Sequence, residues 1–374
     1  MFFLILFAFL TEIIAPPLIY YVWMRSVSKR DWGLKIEASY EPKVSLIIPT
    51  YNEARVIVKK LENVQELDYP SEKLQVILVD SASTDGTLAA CKLFLDSNGM
   101  RFPIKLLSEE ERMGKSHALN KALAWADGEI IAVSDADSFW ESDVLHRTCK
   151  FFSDPSVGAV TGREKLVNLN QSIHTQSEGV YRDFYYSLRL GESKIHSTYI
   201  FQGELSLYRR SAIGKFEDRP GYSDDTGTAI GLISRGFRCI FVPEAVFHDT
   251  AAHSLRGSFR LKSRRAEHLI AAIADSVKLR IQNKLPLSSV VVLFNFYAHM
   301  ISPLLLLLTG LMVFINIQAS WFLLLPIAVA LLFKRSRLLI VSYVTGNAAL
   351  VAGLVQQVAG KKGTTWQKID EMRL

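Results

Sequence analysis

Two carboxylates one residue apart, Asp135 and Asp137, follow directly on the apolar run Ile130-Ile131-Ala132-Val133, with Ser134 and Ala136 as spacers. Hard oxygen donors at that spacing suit a divalent cation, Mg²⁺ or Mn²⁺, which in turn neutralises a diphosphate. Alone this is a weak signal, because Asp is common in turns for local reasons. Its company strengthens it. Asp80 closes a second apolar run, Val76–Val79, and Glu53 follows a third, Val44–Ile48, through Pro49, Thr50, Tyr51 and Asn52. Asp85 is either a further rim carboxylate or a cap of the helix that follows it.

Other candidates lie downstream. Lys115 follows Gly114 and opens a helical pattern running through Trp125, with Arg112 just before it. A helix N-terminus flanked by cations binds phosphate, the alternative being a solvated lysine after a turn. The spacing is not that of a Walker A loop. Asp224 and Asp225 are adjacent with no cation near them in sequence. One of them, held near neutral by the other, suits a general base; the other reading is simple helix capping. From Leu255 to Lys284 a helical pattern carries Arg256, Arg260 and Arg264 at four-residue spacing and apolar Leu269, Ile270, Ile273 and Val277 beyond. This reads as a basic amphipathic helix on a membrane surface, with Arg264 and Arg265 set apart for chemistry. Tyr181, Phe184, Tyr185 and Tyr186 are core residues or the lining of an acceptor path.

The elements that must position these groups are legible. Between about residues 43 and 250, short apolar runs alternate with helical patterns, predicting an α/β fold with a mostly parallel sheet covered by helices. Continuous apolar strands are those buried on both faces. In such sheets ligands bind beyond the carboxyl ends of the strands, so Glu53, Asp80, Asp85, Asp135 and Asp137 are predicted to converge on one rim.

The 374 residues leave room for one substantial domain and membrane segments. Residues 2–24 carry a single charge, Glu12, and are long enough to cross a hydrocarbon core of roughly 30 Å. Arg25, Lys29 and Arg30 follow that run instead of preceding it, which argues for an anchor over a cleaved signal peptide and places the following chain in the cytoplasm. Apolar stretches recur at 287–317, 319–333 and 338–358; the basic Lys334–Arg337 cluster and the tail from Lys361 both favour the cytoplasm, which makes one of the stretches re-entrant or interfacial, and 319–333 is short for a span. The expected organisation is an anchor at 1–30, a catalytic domain at 40–250, amphipathic interface helices at 251–286, membrane helices at 287–360 and a basic tail at 361–374. The protein is thus predicted to be an integral, multi-pass protein of the cell membrane. Juxtamembrane cations meeting membrane lipids account for the net charge of +6, and no nucleic-acid partner is expected. Cys91, Cys149 and Cys239 have no paired metal spacing and read as reduced, buried residues.

Five runs in order, IIPTYNE, VILVDSASTDGT, GKSHALNKALAWADGEIIAVSDADS, FQGELSLYRRSAI and YSDDTGTAIGLISRGFRCIFVPEAVF, resemble the membrane-embedded family 2 glycosyltransferases of the cellulose-synthase-like and polyprenyl-phosphate kinds. The resemblance covers residues 43–250 and implies the GT-A, Rossmann-like fold. It implies nucleotide contacts from Pro49, Tyr51, Glu53 and Asp80, and a metal-binding D-x-D at Asp135 and Asp137. It further implies an acceptor-facing segment at Phe201, Gln202 and Gly203, followed by Glu204, and a catalytic base at Asp225. Processive relatives carry Q-x-x-R-W on the interface helix. Here the corresponding Lys262-Ser263-Arg264-Arg265-Ala266 keeps an arginine and lacks the glutamine and tryptophan, which argues against polymer synthesis.

The expected activity is therefore inverting transfer of one sugar from a nucleotide-sugar to a lipid-linked or glycolipid acceptor, with Mn²⁺ or Mg²⁺ as cofactor. The donor is GDP- or UDP-linked, with mannose on GDP favoured. Lys115, Arg264 and Arg265 are expected to offset diphosphate charge. The alternatives are a processive polysaccharide synthase and a non-catalytic membrane scaffold that kept the fold.

Overall fold

The computed structural model of the chain describes residues 2–359 and Met372. The basic tail expected at 361–374 lies outside the described residues except for Met372. Elements run in the order α1 (Phe2–Val27), β1 (Val44–Thr50), α2 (Ile57–Gln65), β2 (Leu74–Ser81), α3 (Thr87–Asn98), β3 (Ile104–Glu109), α4 (Lys115–Leu123), β4 (Ile130–Val133), β5 (Phe139–Trp140) and α5 (Val144–Cys149). There follow β6 (Val157–Leu166), α6 (Ile173–Ile195), β7 (Ser206–Arg209), α7 (Asp224–Ser234), β8 (Arg238–Asp249) and α8 (Leu255–Ile281). The remainder is helical: α9 (Ser289–Phe296), a π turn at Tyr297–Ile301, α10 (Ser302–Ile315), α11 (Ile317–Ser320), α12 (Leu324–Leu332) and α13 (Lys334–Val358).

One sheet of eight strands has the order β3-β2-β1-β4-β7-β6-β8-β5. β3, β2, β1 and β4 are parallel, and β7 enters antiparallel beside β4. The predicted apolar runs are the three central strands of this half, paired Ile47↔Ile77 and Ile47↔Val133. Strand alternation sends Leu46 and Ile48 into a core with α2 and α3, and Ile47 into a second core with α4, α7 and α8. That is why these strands are apolar on both faces. α2 answers with Ile57, Leu61 and Val64 on one stripe, and α4 with Ala118, Leu119 and Ala122. Full burial of each large aliphatic side chain contributes about 1.5–3 kcal/mol.

Three helices, Leu6–Val27, Ser289–Ile315 and Lys334–Val358, are long and apolar enough to cross a membrane. Phe7, Ile14, Phe314, Leu332, Val355 and Val358 are exposed on this helical part, an outward apolar surface that associates with lipid. Within the stretch 319–333, α12 has nine residues, too few for a span. α1 crosses α6 where Gly191 leaves room for Met24, since a Cβ there would lie 2.6 Å from the Met24 carbonyl oxygen. α8 crosses α13 the same way, Gly353 lying against Ala266 and Glu267. The apolar side of α8 differs from the expectation of a lipid-facing stripe: Ile270, Ala272 and Ile273 are buried in protein, the latter two in the core shared with α4 and α7.

Candidate active site

The carboxyl ends of β1, β2 and β4 and the start of α4 enclose a cleft of about 560 Å³, open to solvent. Pro49, Tyr51, Glu53, Ser81, Arg112, Lys115, Asp135 and Asp137 are among its lining. The Arg112 guanidinium lies over the Tyr51 ring, 3.8 Å from its centroid. Of the five carboxylates expected on this rim, Glu53, Asp135 and Asp137 line the cleft. Asp80 and Asp85 are engaged in turns instead. Asp80 is buried and accepts from the Ser83 amide at 3.0 Å and the Ser83 hydroxyl at 2.5 Å, so that Ser81 is its neighbour on the lining. Asp85 accepts from the amides of Ala54 and Thr87, each at 3.0 Å, next to the N-cap of α3, which is Gly86 at φ 90°. Short polar side chains that bond their own backbone favour such turns.

A second and larger cleft, about 2180 Å³ and open to solvent, shares Gly114, Lys115, Asp135 and Asp137 with the first. It adds the segment Phe201, Gln202, Gly203 and Glu204, the pair Asp224 and Asp225, and Arg264 and Arg265 of α8. Sequence-distant candidates therefore meet across one space. Lys115 is at its centre: Gly114, at φ 100°, turns the chain into α4, and the Lys115 amine reaches Asp135 Oδ1 at 2.5 Å. Burial opposes its charge, but Asp135, Asp224 and Glu204 around it outweigh this and hold it protonated above the ordinary lysine range. The cation missing near Asp224 and Asp225 in sequence is thus supplied from α4.

Ser223 is the N-cap of α7, so Asp224 and Asp225 occupy its first turn, where the helix dipole favours negative charge. Asp225 accepts from the Ser223 hydroxyl and from the Thr226 amide at 2.6 Å. Burial, and then the neighbouring Asp224 charge, push the Asp225 carboxyl up to about 6. Burial likewise pushes Asp135 up to about 7, against the opposing pull of Lys115.

Behind this space Glu164, Glu204 and Asp249 bring carboxylate oxygens within 4.8 Å of one another. Guanidinium groups are interleaved with them: Arg182 pairs with Glu164, and Arg265 Nη2 with Glu204 Oε1 at 2.9 Å. Cations already occupying the cluster oppose its use as a second metal site. Burial raises the Asp249 carboxyl well above its ordinary range, with Asp137 and Glu204 adding to the effect.

Lys60 is a site neighbour that no motif marks. It lies buried beneath the Asp135–Asp137 turn, donating to Ser134 Oγ at 2.6 Å and to the Ser138 carbonyl at 2.5 Å. Burial lowers its amine to about 7 although Asp135 and Asp137 pull the other way. In sequence it is one of two adjacent lysines, and the apolar Ile57, Leu61 and Val64 on the same helix are the one signal that it faces inward. The cations of α8 also divide: Lys262 pairs with Glu178 at 3.0 Å, and Arg264 and Arg265 line the larger cleft.

Residues 45–216 match the family described as glycosyl transferase family 2. Over 97% of its length the chain superposes on the mannosyltransferase PcManGT from Pyrobaculum calidifontis, solved with GDP-Man and Mn²⁺, at TM-score 0.84 and 32% identity, covering all of that chain. It is 28% identical over 227 residues to the probable glycosyltransferase YdaM of Bacillus subtilis, covering 60% of this chain and 54% of that one. To the beta-monoglucosyldiacylglycerol synthase of Synechocystis it is 35% identical over 141 residues, 37% of this chain and 29% of that one. The chain thus spans about half the length, or less, of these two curated relatives.

Proposed function

The chain belongs to glycosyl transferase family 2 and is a hexosyltransferase, and from that premise we propose that it moves one mannose from GDP-mannose to a lipid-linked acceptor at the cytoplasmic membrane surface. One observation carries this reading. Two clefts, one rimmed by strand ends and the other reaching Asp225 and the membrane-side helices, share Lys115, Asp135 and Asp137. A donor in the first and an acceptor in the second would meet at those residues. The preference for GDP-mannose draws on the near-full-length likeness to an enzyme solved with that donor and Mn²⁺.

In this reading Pro49, Tyr51 and Glu53 hold the nucleoside, with Asp80 fixing the Ser81–Ser83 turn beside them, within a catalytic unit at about residues 40–250. The side chains on the β4 turn are hard oxygen donors lining the donor cleft, a set that fits Mn²⁺ or Mg²⁺. Asp137 holds the cation, with Asp135 as its partner. When bound, the cation neutralises the diphosphate. Lys115, Arg264 and Arg265 offset the charge that develops on the leaving group. Asp225, kept basic enough by burial and Asp224, takes the proton of the acceptor hydroxyl as that oxygen attacks the anomeric carbon and inverts it. Phe201, Gln202 and Glu204 border the acceptor, and Gly203 leaves the space between Lys115 and Asp225 open.

The test is a thermal-shift screen of the purified chain against GDP- and UDP-sugars with Mn²⁺, because ligand binding raises apparent stability as ln(1 + [L]/Kd). GDP-mannose should respond most strongly, and Asp137→Ala should lose the response. Labelled sugar from the responding donor should then enter the organic-solvent extract of membranes as a single-sugar product. A ladder of products points instead to a processive synthase, and a response confined to UDP-sugars overturns the donor.

A further inference from the structure

The turn that carries Asp135 and Asp137 is braced from beneath. It leaves the sheet at the end of β4 as Ser134-Asp135-Ala136-Asp137-Ser138, and its first and last residues are completely buried. Lys60 of α2, itself 1% exposed, donates to both ends, to Ser134 Oγ at 2.6 Å and to the Ser138 carbonyl at 2.5 Å. The Ser134 hydroxyl donates in turn to the Asp135 carbonyl at 3.3 Å, which also accepts from the Ser138 amide at 3.3 Å. One amine thus closes the five-residue turn into a connected set of hydrogen bonds. An amine has a hydrogen for each of the two oxygens whether or not it is charged, so the brace does not depend on its protonation.

Asn63, three residues on and so on the same face of α2, ties down the chain beyond the turn. Its Nδ2 donates to the Trp140 carbonyl and its Oδ1 accepts from the Trp140 amide, each at 2.8 Å. The Trp140 indole and the Ser138 hydroxyl then donate to the Glu204 carbonyl at 3.0 and 3.3 Å. The stretch held by α2 therefore also holds the backbone of the segment that follows Gly203.

Lysine is a costly residue for this place. Both oxygens it holds are neutral, and burying an amine costs more than burying a methionine of similar length. What an apolar side chain cannot do is fix the turn, because the Ser134 hydroxyl and the Ser138 carbonyl would lose this donor. Hard divalent cations are demanding about the placement of their oxygen ligands. We infer that Lys60 is a positioning residue for the divalent cation: by tying both ends of the Ser134–Ser138 turn it presents Asp135 and Asp137 in one preset arrangement, without itself touching the ion. This rests on the reading of Asp137 and Asp135 as the cation's ligands. Position and charge act in opposite directions here. A lysine that served only as a buried positive charge would repel the ion, and its removal would tighten binding; removal of a brace weakens it.

The probe is Mn²⁺ alone, titrated into the full-length chain purified in detergent, with the free ion followed by its electron paramagnetic resonance signal. Lys60→Met should weaken Mn²⁺ binding about 10- to 100-fold, the usual worth of a group that orients metal ligands from behind. Ser134→Ala, which removes a single oxygen, should shift the affinity the same way, and the double variant should lose less than the two effects combined because both changes break one bond. Val64→Ala, on the same helix and just as buried, should lower the melting temperature and leave Mn²⁺ binding unmoved, which separates positioning from general stability. Transfer by Lys60→Met should recover as Mn²⁺ is raised. Unchanged or tighter Mn²⁺ binding in Lys60→Met overturns the inference, as does the same result in Ser134→Ala should Lys60→Met not fold. An equal loss of Mn²⁺ binding in Val64→Ala overturns it too. Failure of the underlying cation reading has a different signature, Mn²⁺ binding alike to the wild type and to Asp137→Ala.

Discussion

Gly203→Ala probes the meeting point of the two clefts with a single methyl group. A Cβ at Gly203 would lie 2.7 Å from the Lys115 amine, 3.9 Å from its Cε and 3.6 Å from Asp225 Oδ2. Ordinary contact begins near 3.4 Å, so the amine must retreat by about 0.7 Å while Asp225 and the Lys115 stem stay where they are. The displaced atom is the far end of a flexible chain, so the fold absorbs the change, and the melting temperature should move by only about 2 °C or less. Function should not absorb it. The amine is held to Asp135 at 2.5 Å, and a charge-assisted bond of this kind is worth about 1.5–3 kcal/mol. Forfeiting it in the transition state corresponds to about a 10- to 100-fold loss of kcat/KM. The assay is transfer of labelled sugar, run as a double-mutant cycle with Lys115→Ala. Where the amine is already absent the new methyl has nothing to displace, so Gly203→Ala should then cost little more. Wild-type kcat/KM in Gly203→Ala, or strictly additive losses in the cycle, would refute the placement of Lys115.

Two further outcomes are expected. If Asp225 is the base, kcat falls as pH drops through about 6, the position to which burial and Asp224 raise its carboxyl; Asp225→Asn should abolish transfer while sparing nucleotide binding, and Asp224→Asn should move the acid limb to lower pH. An unmoved limb in Asp224→Asn, or robust turnover in Asp225→Asn, contradicts the assignment. Lys60 makes a statement about stability: burial lowers its amine to about 7, so between pH 7 and the ordinary lysine range near 10.4 the unfolded chain binds more protons than the folded one. Stability should therefore rise with pH across that window, and melting temperatures at pH 7, 8 and 9 should show the rise in the wild type but not in Lys60→Met.

Much of this molecule is written locally. A strand covered on both sides has no polar face to alternate with, so the runs Val44–Ile48, Val76–Val79 and Ile130–Val133 are visible as strands from composition alone, and the carboxylates behind them follow as rim residues. The apolar runs at both ends announce three helices of membrane length for a related reason: backbone and side chains must satisfy an apolar solvent segment by segment. The pair Asp224-Asp225 is likewise legible as an acidic first turn, with Ser223 taking the cap.

Other facts depend on residues far apart in the chain. That Asp80 and Asp85 close turns while Glu53, Asp135 and Asp137 face the cleft follows from which neighbours supply donors, Ser83 in one case and Ala54 and Thr87 in the other. Lys60 beneath the Asp135–Asp137 turn, and Lys115 between Asp135 and Asp225, are meetings across the sheet that no spacing encodes. So is the engagement of Glu192 of α6, which accepts from Tyr20, Thr198 and Asn295. Amino-acid types and periodicity determined the fold class, the long apolar helices and the kinds of chemistry available. Tertiary structure alone decided which charges pair with which, because a buried charge is set by what packs around it and not by its neighbours in sequence.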